Sequence, residues 1–183
     1  MEIDRLAQII AAQQDIALER LNLPRAMQII AQRTQNITKA DGAVVEMLEG
    51  HEMVYHAGSG TGVPHVGIRL NAKGSLSGKC VKENCILRCD EALTDDRVDK
   101  EACRRVNLRS MIVVPLVHMG IAKGVLKVMS SQPHAFDETH IASLQLMATV
   151  LSVTLSDAMS AEELKTTNER LAAANTALEK RLH

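Results

Sequence analysis

The sequence predicts an α+β domain: a central antiparallel sheet of about six strands with helices on its faces, and long helices at both ends. Three observations carry this expectation. Between positions 42 and 130, short apolar runs rich in Val, Ile and Met alternate with turns built from Gly, Asp, His and Asn. Apolar residues at helical spacing precede and follow those runs. One stretch between them, Gly74 to Leu116, holds all four cysteines, an acidic loop and the most apolar strand.

A chain of 183 residues has room for one well-buried domain with some left over. Apolar residues make up 46% and aromatics only 1%, so Leu, Ile, Val, Met and Ala must fill the core. A formal charge of −1 gives no electrostatic reason to expect nucleic acid or an acidic membrane surface. Lys and Arg nowhere cluster with interleaved aromatics, so the stacking platform of a single-strand binder is not expected. No continuous run reaches the ~20 apolar residues of a membrane-spanning helix. Met1-Glu2-Ile3-Asp4 has neither the basic start nor the apolar centre of a signal peptide. The expectation is a cytoplasmic protein without membrane insertion, whose cysteines are thiols.

The elements follow in order. Ile3, Leu6, Ile9, Ile10, Ile16 and Ala17 fall on one helical face, giving an amphipathic N-terminal helix over residues 1–21. Asn22-Leu23-Pro24 ends it, and Pro24 suits the first turn of a second helix with Met27, Ile30, Ala31, Thr34 and Ile37 on one side. Strands are expected at Ala43–Leu48 and Met53–Ala57, as a hairpin, and at Val66–Leu70 after a Gly-rich mobile loop, Gly58–Pro64. Ser77–Lys82 reads as a short helix, Ile86–Cys89 as a strand and Asp90–Val98 as a solvated acidic loop. Asp99 is placed to cap a helix over Lys100–Val106. Arg109–Leu116, ended by Pro115, and Ile121–Met129 complete the sheet. Asp137 caps a last helix, with Phe136 and Ile141 as its hydrophobic staple. From there to His183 no Pro or Gly interrupts, so one continuous helix is expected. Its last part, residues 159–183, spaces Leu164, Leu171 and Leu178 seven apart, with Thr167 and Ala174 between them. That is the period of a coiled-coil stalk.

Ser75-Leu76-Ser77-Gly78, the short strand, Thr94-Asp95-Asp96-Arg97-Val98 and Arg109-Ser110-Met111-Ile112-Val113-Val114-Pro115-Leu116 together resemble the GAF family of sensory domains across residues 22–158. The resemblance implies a signal-receiving fold whose flanking helices form a dimer bundle and relay a conformational change to an output domain, here expected beyond His183. Ile3, Leu6, Ile10, Leu151, Leu155, Leu164, Leu171 and Leu178 are the candidate homodimer contacts. It names no ligand, since members bind cyclic nucleotides, haem, bilins, metals, small metabolites or nothing known; the small molecule and any cofactor stay unassigned. Of the cyclic-nucleotide signature only Phe136-Asp137-Glu138 is present, and 1% aromatics leaves little to sandwich a bilin. By family geometry a pocket lies between the sheet and the segments Val66–Cys80 and Cys89–Arg109. Its candidate contacts are Ser75, Ser77, Cys80, Arg88, Cys89, Asp90, Cys103, Arg104, Arg109 and Ser110.

The cysteines, Cys80, Cys85, Cys89 and Cys103, lack the paired spacing of a zinc site, and no metal site is expected. Buried apolar packing is the ordinary role of such residues. Cys103 stands apart because it lies near a helix start beside Arg104-Arg105, which predicts a lowered thiol pKa. One enzyme class within the family, the free methionine-(R)-sulfoxide reductases, resembles this chain in the same stretch, with Cys103 at the catalytic position. Ser77 then occupies the resolving-cysteine position, with Cys80 one turn away. Lys127 and Met129 stand where those enzymes carry acidic residues for the substrate amine. A non-catalytic ligand- or redox-sensing module is therefore the first expectation. A thiol reductase using Cys103 and Cys80, and a ligand-free dimer scaffold, are the alternatives.

Overall fold

The computed structural model describes residues 22–182 together with Ala7 and Ala11; Ile3, Leu6 and Ile10 lie outside the described residues, as does the side chain of Leu178. Helix α1, Leu23–Thr38, starts where the Asn22 side chain accepts the Arg25 N–H, with Pro24 in its first turn. It buries Met27, Ile30, Ala31, Thr34 and Ile37, the face its spacing marks. Strands β1 (Gly42–Glu49) and β2 (Glu52–Gly60) form the expected hairpin. β2 runs through Gly60, so the Gly-rich segment is not the mobile loop expected. The reason is close approach: a Cβ on Gly60, at φ +57°, would meet the Asp41 carbonyl and the Gln35 amide at 2.2 Å.

A 3₁₀ turn at Val63–His65 and the three-residue strand β3, Arg69–Asn71, follow in place of a strand at Val66–Leu70. Helix α2 (Leu76–Glu83) is capped by Ser75, which accepts the Gly78 N–H; helix α3 (Lys100–Arg105) is capped by Asp99, which accepts the Ala102 N–H. Between them lies β4, Leu87–Cys89. Strands β5 (Ser110–His118) and β6 (Ile121–Ser130) are the longest pairing in the sheet. Pro115 does not end β5. It pairs with Val125 on the β6 side, while β4 covers β5 only at Met111–Val113, so the missing N–H falls where no neighbouring strand requires it.

The sheet has six strands in the order β3-β2-β1-β6-β5-β4, all antiparallel. Its first face carries Val45, Ile112, Val114, Leu116, Leu126 and Val128 and is covered by α1 and the last helix, α4. Its second face carries Val44, Met53, Tyr55, Met111, Val113, Val125 and Met129 and is covered by α2, α3 and their loops. The period of two along each strand separates the two cores.

Helix α4, Glu138–Leu182, is one continuous rod of 45 residues, about 68 Å at 1.5 Å per residue. Asp137 caps it, accepting the Thr139 and His140 N–H groups. Phe136 and Ile141 join the same core cluster. Leu144, Met147, Ala148, Leu151 and Leu155 are at most 2% exposed; full burial of each larger side chain contributes about 1.5–3 kcal/mol. Leu151 and Leu155, expected at a dimer contact, thus belong to the chain's own core. The segment Glu138–Ala174 is long and apolar enough to cross a membrane by length and composition alone. Within it Leu144, Met147, Ala148, Leu151 and Leu155 pack in the chain's own core, while Leu146, Val153, Leu164 and Leu171 are exposed.

Candidate functional site

The second face of the sheet is incompletely covered. A cavity of about 700 Å³ remains between it, the segment from Thr61 to Ser77, and α3 with its flanking residues. Ile68, Leu70, Leu76, Val106, Met111 and Met129 make its walls mostly apolar. Three of these face its opening: Ile68, Leu70 and Val106 are 39%, 42% and 46% exposed.

The floor is polar and buried. The register sets Glu46 of β1 opposite Tyr55 of β2, and Val44, two residues earlier, opposite Lys127 of β6. Glu46 and Lys127 are therefore diagonal neighbours on one face. The Lys127 ammonium donates to Glu46 Oε1 at 2.5 Å and to Tyr55 Oη at 2.7 Å. Ser77, in the first turn of α2, donates to the same carboxylate oxygen at 3.1 Å. Glu46, Lys127, Tyr55 and Ser77 are all under 8% exposed. Burial opposes the charge on Lys127, but the carboxylate beside it and the Tyr55 oxygen outweigh that, and its pKa is raised. Burial first, with the Glu46 charge adding to it, pushes the Tyr55 hydroxyl up. The floor is a closed ion pair with a neutral phenol.

The rim is acidic. The Asp41 carboxylate accepts the Ser131 N–H at 2.6 Å and the Ser131 hydroxyl at 2.7 Å. These bonds, the backbone one foremost, hold its pKa below the usual carboxylate value. Asp99, the cap of α3, is a second exposed carboxylate in its lining.

The sequence profile described as "GAF domain" matches residues 21–156. The chain belongs to the GAF domain family. Solved structures agree on the fold. The GAF domain of an Acinetobacter phosphoenolpyruvate-protein phosphotransferase superposes with a TM-score of 0.71 at 21% identity, covering 87% of this chain and 97% of that one. The free methionine-R-sulfoxide reductase of Neisseria meningitidis, solved with its substrate, gives 0.73 at 19%, covering 84% and 89%. The phycocyanobilin-bound GAF domain of a cyanobacterial phytochrome gives 0.70 at 13%, covering 84% and 94%. Comparison with curated proteins finds no sequence match.

The cavity of this GAF domain lies where family geometry expects it, but few of the residues proposed from the sequence line it. Ser75, Ser77 and Cys103 do. Arg88 turns away to bridge Asp90 at 3.0 Å and Glu138 of α4 at 3.1 Å. Arg104 pairs with Glu101 on the outer side of α3. Arg109 clasps Glu91 with two nitrogens, and Ser110 donates to the Gln132 carbonyl at 2.6 Å. The acidic loop is correspondingly less solvated than its composition suggests. Glu91 is held down to about 2 by Arg109, and Asp95 lies below the usual carboxylate range because Arg97 is bonded to it.

The thiols also differ from expectation. Cys103 is 6% exposed and its pKa is raised, not lowered, because burial outweighs the nearby Lys127 charge. Its arginine neighbours point outward on α3, and a helix of six residues has little dipole to offer. Cys80 and Cys89 are fully buried, and burial pushes both to about 12. Cys80 donates to the Val113 carbonyl in the core and does not line the cavity. The residues the sequence reading missed are Glu46 and Tyr55, and Lys127 as a partner of theirs. Their signal was a lone charge in each of two apolar runs, Ala-Val-Val-Glu-Met-Leu and Val-Leu-Lys-Val-Met.

Proposed function

We propose that this GAF domain is a non-catalytic sensory module that binds a small molecule in the cavity, dimerises along α4 and passes the state of the cavity to an output domain. The observation that carries the reading is an apolar cavity of ligand size in whose described lining the one thiol, on Cys103, is buried and the one amine, on Lys127, is paired with Glu46. The Cys103 thiol is protonated at neutral pH, and the Lys127 amine is protonated and paired. Apolar side chains at the opening favour an occupant that removes them from water.

The relay has a physical candidate. The wall formed by α3 continues through the 90–99 loop to Arg88, which reaches the first turn of α4 at Glu138. On the solvent side of α4, half a turn from the core residues, Leu146, Val153, Leu164 and Leu171 are 51%, 54%, 63% and 57% exposed. Leu146, Val150 and Val153 make one alternating three–four stripe beside the domain, and Leu164, Thr167, Leu171 and Ala174 make another in the same frame along the stalk, with the polar Asp157 and Ser160 at the two positions between them. A second copy of the chain is the partner such a stripe fits, in a cytoplasmic protein. The non-catalytic part is tested with free methionine-(R)-sulfoxide and dithiothreitol. No turnover above buffer is expected; turnover abolished by Cys103→Ser overturns the reading.

A further inference from the structure

The charges around the cavity restrict what it can hold, given that it is the ligand site proposed above. Three carboxylates line it, Glu46, Asp41 and Asp99. His65 apart, Lys127 is the one cationic side chain among the described lining residues, and it is bonded to Glu46. At the N-terminal end of α2, the other positive feature, the Ser75 hydroxyl accepts the Gly78 N–H, and the Ser77 hydroxyl donates to Glu46 beside it. All three arginines that could have drawn an anion inward, Arg88, Arg104 and Arg109, pair with carboxylates outside the cavity. A bound carboxylate or phosphate would have to leave water for an apolar chamber with no uncompensated cation and two unbalanced acids at its rim.

We infer that the cavity selects an uncharged or singly cationic organic molecule with an apolar body, and excludes carboxylates and phosphates. The apolar walls take the body, while Asp41 and Asp99 favour a hydrogen-bond donor or an ammonium head. The Glu46–Lys127–Tyr55 floor supplies a polar surface without net charge.

The chain reports on this site by itself, because Tyr55 is its one tyrosine and it has no tryptophan. Three non-absorbing probes with the same body separate the charge states: cyclohexylmethylamine, cyclohexylmethanol and cyclohexanecarboxylate. Each is titrated into the full chain at pH 7 while Tyr55 emission is followed, with calorimetry alongside. The amine and the alcohol are expected to bind roughly tenfold or more tightly than the carboxylate. Asp99→Asn, which keeps the helix cap, is expected to narrow the ratio between amine and carboxylate. A carboxylate that binds as well as or better than the other two overturns this inference and leaves the sensory reading standing. If none of the three changes emission or heat, the ligand-binding reading itself fails.

Discussion

The buried pair beneath the cavity gives the most exacting prediction. Lys127→Met removes the cation and leaves Glu46, 1% exposed, with only the Ser77 and Tyr55 hydroxyls for its charge. Breaking one side of a buried pair costs about 3–5 kcal/mol, because the remaining ion keeps its desolvation without its attraction. For a domain of this size each kcal/mol moves Tm by roughly 2–4 °C, so a fall of about 6–20 °C is expected. Replacing both members, Glu46→Leu with Lys127→Met, removes the uncompensated charge along with the pair. That double variant is expected to recover most of the loss, since apolar replacement of a buried pair is often neutral or stabilising. Thermal and urea unfolding followed by far-ultraviolet circular dichroism measure all three proteins. A Lys127→Met variant within about 1 kcal/mol of the parent, or a double variant as unstable as the two single losses added, refutes the assignment of a desolvated, mutually dependent pair.

Other expectations follow from the same geometry. With a thiol reagent at pH 8, Cys85, the half-buried cysteine, reacts quickly, whereas Cys80, Cys89 and Cys103 react only as the protein unfolds; a fast second thiol would mean Cys103 is open to solvent. Glu91 has its pKa depressed in the fold from an ordinary value near 4.5 to about 2, so its pairing with Arg109 stabilises fully above pH 4.5 and is lost as pH falls toward 2. The stability difference between the parent and Glu91→Gln should shrink across that interval, and a difference constant with pH contradicts the pairing. Leu164→Gln with Leu171→Gln, or truncation after Met159, is expected to turn a dimer into monomer in light scattering. An unchanged mass would place the dimer contact elsewhere.

The fold was legible because its signals are local. The α1 face, the Asp99 and Asp137 caps and the hairpin at Glu49–Glu52 each depend on residues a few positions apart. The site was not, because its floor joins Glu46 to Lys127, partners that only the sheet register brings together. Each looks like an isolated charge in an apolar strand until its neighbour is known. The arginines misled for a related reason. Proximity in sequence to the pocket segments says nothing of side-chain direction, and each found a nearer acid. In α4 two apolar stripes share one helix, and the pattern alone did not say that Leu151 and Leu155 meet the chain's own sheet while Leu146 and Val153 face outward. Cys103 shows competing magnitudes. The expected charge effect exists, from Lys127 and not from its arginines, but burial is larger.

Native mass spectrometry of the protein as purified, repeated on the same sample under denaturing conditions, tests the central claim most directly. The account predicts a dimer carrying a non-covalent mass in the small-molecule range that disappears on denaturation, and an occupant without a carboxylate or phosphate. Bare polypeptide in the native spectrum, with the denatured mass short by two hydrogens per chain, would contradict it and put the cysteines, not the cavity, at the centre of the function.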